Sequence, residues 1–219
     1  RDYGFCEEIV KPSPLERDKD TFLGFARPGG KAGTRNYIAV ISSVNCSASV
    51  ARYVADHFRS SDFQSDFANV DGVVAFTHKG GCSYDPNHGH EVLQRVIAGM
   101  ARHPNIGGYV LVGLGCEVNQ VPGLVEKHHL DQLQDGEQAP TFLTIQQTGG
   151  VRKTVESAVK AVEKMLPDVN ALQRTTQPVS KLAMAMNCGG SDANSGISAN
   201  PALGVASDEL VRQGAASVF

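Results

Sequence analysis

The sequence predicts an α/β fold: a mostly parallel, doubly wound sheet of Rossmann-like type with cysteine loops at the strand ends. Three observations predict it. Apolar runs of strand length recur along the chain, and between most of them lie segments with apolar residues at helical spacing. Strands that are apolar throughout are buried on both faces, and their alternation with amphipathic helices marks β-α-β units. Four of the five cysteines fall at or just after the end of such a strand, where open parallel sheets place their ligands.

The elements follow in order. Residues 1–20 are charged, carry Pro12 and Pro14, and read as a linker. Thr21 to Arg27 is extended, and Pro28 to Gly33 forms a glycine-rich turn. The first buried strand spans Tyr37 to Val44, and its helix runs from about Ser47 to Phe58. The second strand is Gly72 to Thr77. A loop leads from it to a helix near residues 90–102, with Val92, Val96, Ile97 and Met100 inward. The third strand, Tyr109 to Leu114, precedes a helix near 121–130. The fourth, Thr141 to Ile145, precedes a helix over about 151–166, and residues 167–178 read as a link. Lys181 to Met186 reads as a fifth strand. A helix opened by Pro201 runs to about Gln213, and Ala215 to Phe219 begins a sixth strand. Residues 21–178 are thus expected to form one domain and 179–219 the start of another. Arg1 and Phe219 read as cut ends of a longer polypeptide.

Composition narrows the function class. The chain has 219 residues, 41% of them hydrophobic and 20% charged, with a net charge of -3. Such a balance shows no basic excess for nucleic acid and no cationic amphipathic stretch for a membrane surface. No apolar run is long enough to span a bilayer. The cysteines, at 6, 46, 82, 116 and 188, form no CxxC pair, which argues against a structural zinc site. Reduced thiols in a cytoplasmic protein are expected.

The strand-end loops hold the candidate chemistry. Asn45-Cys46-Ser47 stands where a helix begins, so free amides are available to an anion there; Ser47 also suits a helix cap. His78 and Cys82 share one glycine-bearing loop, where His78 is a candidate base or metal ligand. Cys116 and Glu117 place a thiol beside a carboxylate after the third strand. Cys188, Ser191 and Asp192 do likewise after the fifth, around Gly189-Gly190. Each cysteine alone is as readily a small packing residue; four in four such loops favour a site. His88 and His90 flank a helix start and are further ligand candidates, whereas His57, His103, His128 and His129 read as surface residues and Cys6 has no assigned role. Neither GxxxxGK[ST] nor GxGxxG occurs, so no nucleotide is expected.

Several strings together carry a resemblance. Gly33-Thr34-Arg35-Asn36, Val44-Asn45-Cys46-Ser47-Ala48, Gly113-Leu114-Gly115-Cys116-Glu117 with Asn119-Gln120, and Cys188-Gly189-Gly190-Ser191-Asp192 followed by Ala199-Asn200-Pro201-Ala202 resemble the altronate/galactarate dehydratase family. The likeness runs from about Phe22 to the end. It implies dehydration of an aldonic or aldaric acid to a 2-keto-3-deoxy acid with a divalent metal, iron or manganese, with magnesium as a further candidate. It also implies N- and C-terminal domains beyond this chain, and the related sulfolactate sulfo-lyase eliminates sulfite instead. On this resemblance His78 is a base or ligand. Cys82, Cys116 and Cys188 are ligands or proton donors, and Glu117 and Asp192 are polar partners. Thr34, Arg35 and Asn36, with Asn45, Cys46, Ser47 and Ser191, hold the substrate's carboxylate and hydroxyls. An iron–sulfur cluster on three or four thiols is the alternative cofactor, and a non-catalytic acid-binding or structural domain or subunit the alternative function; among partners, a second copy of the chain in a homo-oligomer is a further candidate. Two departures stand out: Pro28-Gly29-Gly30-Lys31 where Asp-Gly is usual, and Ser83 after Cys82 where glycine is common.

Overall fold

The computed structural model describes residues 20–59, 63–83, 85, 87–132, 138–187, 189–190 and 192–219. These divide into two compact units, 23–175 and a second made of 20–22 with 176–219.

In the first unit, β1 (Thr21–Ala26) pairs antiparallel with the short β2 (Ala32–Gly33), with Phe25 opposite Gly33. The main sheet follows, with β3 (Tyr37–Ser42), α1 (Ala48–His57) and the single turn α2 (Phe63–Asp66). Next come β4 (Gly72–Phe76), α3 (His88–Ala101), β5 (Ile106–Gly113) and α4 (Val121–His128). The unit closes with β6 (Thr141–Thr144), α5 (Ile145–Thr148) and α6 (Val151–Ala171).

The four strands β3 to β6 lie parallel in the order β4-β3-β5-β6. Alternation along β3 explains the two layers of core. Ile38 and Val40 face α1 and α6, while Ala39 and Ile41 face α3 and α4. The sheet is therefore covered by helices on both faces, as its continuous apolar strands require. Numbered among themselves, its strands run 2-1-3-4, the other common doubly wound order rather than the dinucleotide-fold order 3-2-1-4. Leu124 of α4 is fully buried against the second layer. Leu124→Ala should cost about 3 kcal/mol through lost burial and a cavity, checked by urea denaturation.

Two helices depart from the sequence pattern. Along α3, Val92 and Val96 are exposed, and the buried face is His90, Gln94, Ile97, Ala98 and Ala101. A polar network chose that face: Gln94 Nε2 donates to Asn119 Oδ1 at 3.1 Å, and Lys127 Nζ donates to Gln94 Oε1 at 2.9 Å. Helix α6 continues through Pro167 to Ala171 instead of ending at 166. An interior proline costs on the order of 3 kcal/mol. Buried Leu166 and Val169 flank it, and at about 1.5–3 kcal/mol each they offset that loss.

After β7 (Arg174–Pro178), the second unit holds β8 (Ala183–Ala185), α7 (Ala193–Ile197), α8 (Ala199–Arg212) and β9 (Ala216–Val218). The expected fifth and sixth strands are β8 and β9. They do not extend the main sheet but pair parallel with each other, Met184 opposite Ser217. The chain between them supplies the helical crossover that a parallel pair needs.

Candidate active site

The register sets the strand ends level. Ile41 lies opposite Phe76, Ser42 opposite Val112, and Gly113 opposite Thr144. The loops after β4, β3 and β5 therefore leave one edge side by side, from strands about 4.8 Å apart. Backbone bonds stitch them together: Asn45 N donates to Gly80 O at 2.8 Å, Val118 N to Cys82 O at 2.9 Å, and Ser43 N to Val112 O at 3.0 Å. The helices that follow β3 and β5 pack on opposite faces of the sheet. The gap between these two strands is thus the switch point at which doubly wound sheets open a ligand crevice.

Three thiols stand at this edge. Cys46, Cys82 and Cys116 are all exposed. The Cys46 thiol lies within hydrogen-bond reach of Cys82, and close enough to Cys116 and Glu117 to feel their charge. Its pKa is raised, first by loss of water around the sulfur and then by Cys82, Cys116 and Glu117. Cys46 therefore keeps its proton at neutral pH, as a proton donor must. From α5, Gln146 Nε2 donates to Cys116 Sγ at 3.3 Å.

Glu117 anchors the third loop. It is 2% exposed, and its carboxylate accepts from Ser43 Oγ at 2.9 Å, Leu114 N at 3.0 Å and Gly115 N at 2.5 Å. A Cβ at Gly113 would come within 2.5 Å of Glu117 Oε1 and 2.6 Å of Val121 Cγ2, so only glycine fits there. Asn119, also buried, donates to Ser43 O at 2.9 Å and ties the loop to β3. Sequence reasoning passed over Ser43, Asn119, Gln94 and Gln146 as site residues. The available signal was Ser42-Ser43 ending an otherwise apolar strand, and the amides clustered around the cysteine strings.

His78 is half-buried, and its Nδ1 accepts from Gly80 N at 3.1 Å. That contact leaves the ring proton on Nε2. Nε2 itself is buried with no partner in good hydrogen-bond geometry, although the Ser42 and Ser43 carbonyls lie near enough to favour its charged form. Burial outweighs them and lowers the pKa, which holds the ring neutral.

Other expected residues fall elsewhere. Asn45 is exposed beside Cys46, but Ser47 is fully buried and caps nothing: its hydroxyl is spent on the carbonyls of Val44 and Val112, at 2.9 and 2.8 Å. Thr34, Arg35 and Asn36 precede β3, at the opposite end of the sheet from the thiols. There Thr34 bonds Asn105, and Arg35 pairs with Asp71 at 3.5 Å. Asn36 is fully buried, donating to the Asn69 and Val169 carbonyls and accepting from Arg27 at 2.7 Å. Asn36 is therefore scaffold by its contacts. Asp192 sits in the second unit as the cap of α7, accepting from Ser195 N and Oγ at 2.7 Å each, which lowers its pKa. Cys188, Ser191 and Cys6 lie outside the described residues. His90 is buried within α3, and His128 is half-buried rather than on the open surface.

Among the described residues, no group of three or more His, Cys, Asp or Glu side chains is arranged to hold a metal ion. By themselves these residues therefore do not fit a divalent metal or a cluster. No helix among them is long and apolar enough to cross a membrane.

Residues 24–170 match the family model described as D-galactarate dehydratase/Altronate hydrolase, second domain, and residues 179–219 match D-galactarate/Altronate dehydratase, C-terminal. The chain is 40% identical over 221 residues to galactarate dehydratase (L-threo-forming) of Escherichia coli, covering 95% of this chain and 40% of the relative. It is 34% identical over 208 residues to altronate dehydratase of Bacillus subtilis, covering 94% and 40%. To the (2R)-sulfolactate sulfo-lyase subunit beta of Chromohalobacter salexigens it is 28% identical over 205 residues, covering 94% and 47%. The chain thus spans less than half the length of each of these relatives. Since the second-domain match alone takes in the whole parallel sheet and all three thiol loops, the chain belongs to the D-galactarate dehydratase/altronate hydrolase family.

Proposed function

We propose that this chain supplies the strand-end catalytic edge of a sugar-acid dehydratase that converts an aldonate or aldarate, such as altronate or galactarate, to a 2-keto-3-deoxy acid. The carrying observation is the meeting of Cys46, Cys82 and Cys116 on one edge at the switch point, beside His78 and the anchored Glu117. Elimination of water next to a carboxylate needs a base for the α-proton, charge stabilisation for the enediolate, and an acid for the departing hydroxyl. His78, held neutral by burial, is the base in this reading. It takes the proton on Nδ1 once the Gly80 amide releases that atom. Cys46, whose proton is retained, suits the acid. The exposed side-chain amide of Asn45, beside Cys46, receives the carboxylate, since the Asn45 and Ser47 backbone N–H groups are already spent on Gly80 and Val44. A divalent metal, iron, manganese or magnesium, or a cluster on the thiols, belongs to this reading only with donors beyond the described residues.

The test is an assay of the complete polypeptide with altronate and galactarate separately, following semicarbazide-reactive keto acid. Keto acid from either one upholds the dehydratase reading. Release of sulfite from sulfolactate with no keto acid from the sugar acids replaces it with the sulfo-lyase type of elimination. Binding of the acids without turnover leaves the non-catalytic reading.

A further inference from the structure

Oxidation chemistry is available at the thiol edge and lies outside the dehydration itself. Cys46 and Cys82 stand on loops from neighbouring parallel strands, and both are exposed. The Asn45–Gly80 backbone bond holds the two loops together within two residues of each sulfur. The Cys82 carbonyl is in turn bonded by Val118 N, which fixes the second loop against the third. The Cys46 thiol is within hydrogen-bond reach of the Cys82 thiol, whereas Cys116 is occupied by the Gln146 amide at 3.3 Å. A disulfide joins sulfurs only about 2 Å apart on loops whose backbones can approach, and here the loops are already tied.

We propose that Cys46 and Cys82 form a reversible disulfide under peroxide, a modification site that closes the thiol edge. One thiol reduces the peroxide O–O bond, becomes a sulfenic acid and releases one water. The second thiol attacks that sulfur, forms the S–S bond and releases the second water. Two thiols are oxidised by two electrons and one peroxide is reduced. A dithiol reverses the step by exchange. The pairing itself rests on the tied loops and the nearness of the two thiols; only its effect on turnover rests on the proposed dehydratase reading.

The experiment treats the native chain with hydrogen peroxide in the presence of a chelator, so that no metal occupies the thiols. The remaining thiols are then alkylated under denaturing conditions and the linked peptides mapped by mass. The expected product joins the Cys46 and Cys82 peptides, forms at least about ten times faster in the folded chain than in urea, and disappears with dithiothreitol. In Cys46→Ser, the linked peptide is lost and dimedone traps a sulfenic acid on Cys82. The proposal is overturned if both cysteines remain alkylated, if Cys82 pairs with Cys116 instead, or if sulfinic acid accumulates without the link. In the complete enzyme, linkage with reversible loss of turnover supports both readings. Linkage with turnover intact upholds the disulfide and counts against a catalytic role for these thiols.

Discussion

Glu117→Ala lowers the stability of this chain by about 3–5 kcal/mol, with a fall in Tm on the order of 10 °C. The carboxylate receives three donors in a site only 2% exposed. Hydrogen bonds to a charged acceptor are worth about 1.5–3 kcal/mol each, and buried donors left without one keep their desolvation cost. Water entering from the half-buried Leu114 and Gly115 side keeps the total below the simple sum. Glu117→Gln separates charge from shape. Its oxygen can replace Oε1 for Ser43 and Leu114, but its amide then confronts the Gly115 N–H, so the loss is intermediate. Thermal and urea denaturation of both variants checks the order. An alanine variant within about 1 kcal/mol of the parent would overturn the anchoring role.

His78→Ala in the complete enzyme reduces kcat by about 100- to 10,000-fold, the usual contribution of a positioned general base. Retained turnover would remove His78 from the mechanism. A second signature needs no substrate. Burial lowers the His78 pKa below its ordinary value, so the folded state resists its protonation while the unfolded chain does not. The stability tied to the neutral ring is thus complete above the ordinary histidine pKa, near 6.5, and is lost as pH falls through the depressed folded value. His78→Asn should flatten that decline when urea midpoints are compared at pH 7.5 and 5.5. A residual slope of the same sign remains from His128, whose pKa is also lowered, by burial and then by Lys127, Arg102 and His129.

The α/β class and the helix–strand alternation were legible because buried parallel strands are apolar on both faces, a pattern local in sequence. The Ile38–Ile41 run shows it, each residue buried and successive ones feeding opposite layers. Ends were less legible. Pro167 reads as a stop, and only the buried contacts of Leu166 and Val169 carry α6 past it. The inward face of α3 was misread in part, for a related reason: Ile97 and Met100 do pack inward, whereas Val92 and Val96 do not. Hydrophobic periodicity favours Val92 and Val96, but Gln94 is drawn inside by Asn119 and Lys127, which lie 25 and 33 residues away in sequence.

The candidate site divides in the same way. By itself the sequence determined that cysteines follow successive strands, because strand ends are readable from the apolar runs. In a parallel sheet every strand end faces the same edge, so Cys46, Cys82 and Cys116 had to lie on one side. What only the tertiary structure decided is which groups reach that edge and in what state. Strand order placed β3 between β4 and β5. Contacts between loops buried Glu117, neutralised His78 and turned Ser47 from a cap into a tie. The physical reason is that periodicity reports which face a residue takes within its own element. Burial, pKa and hydrogen-bond partnership depend on neighbours tens of residues away, brought together only when the strands pair.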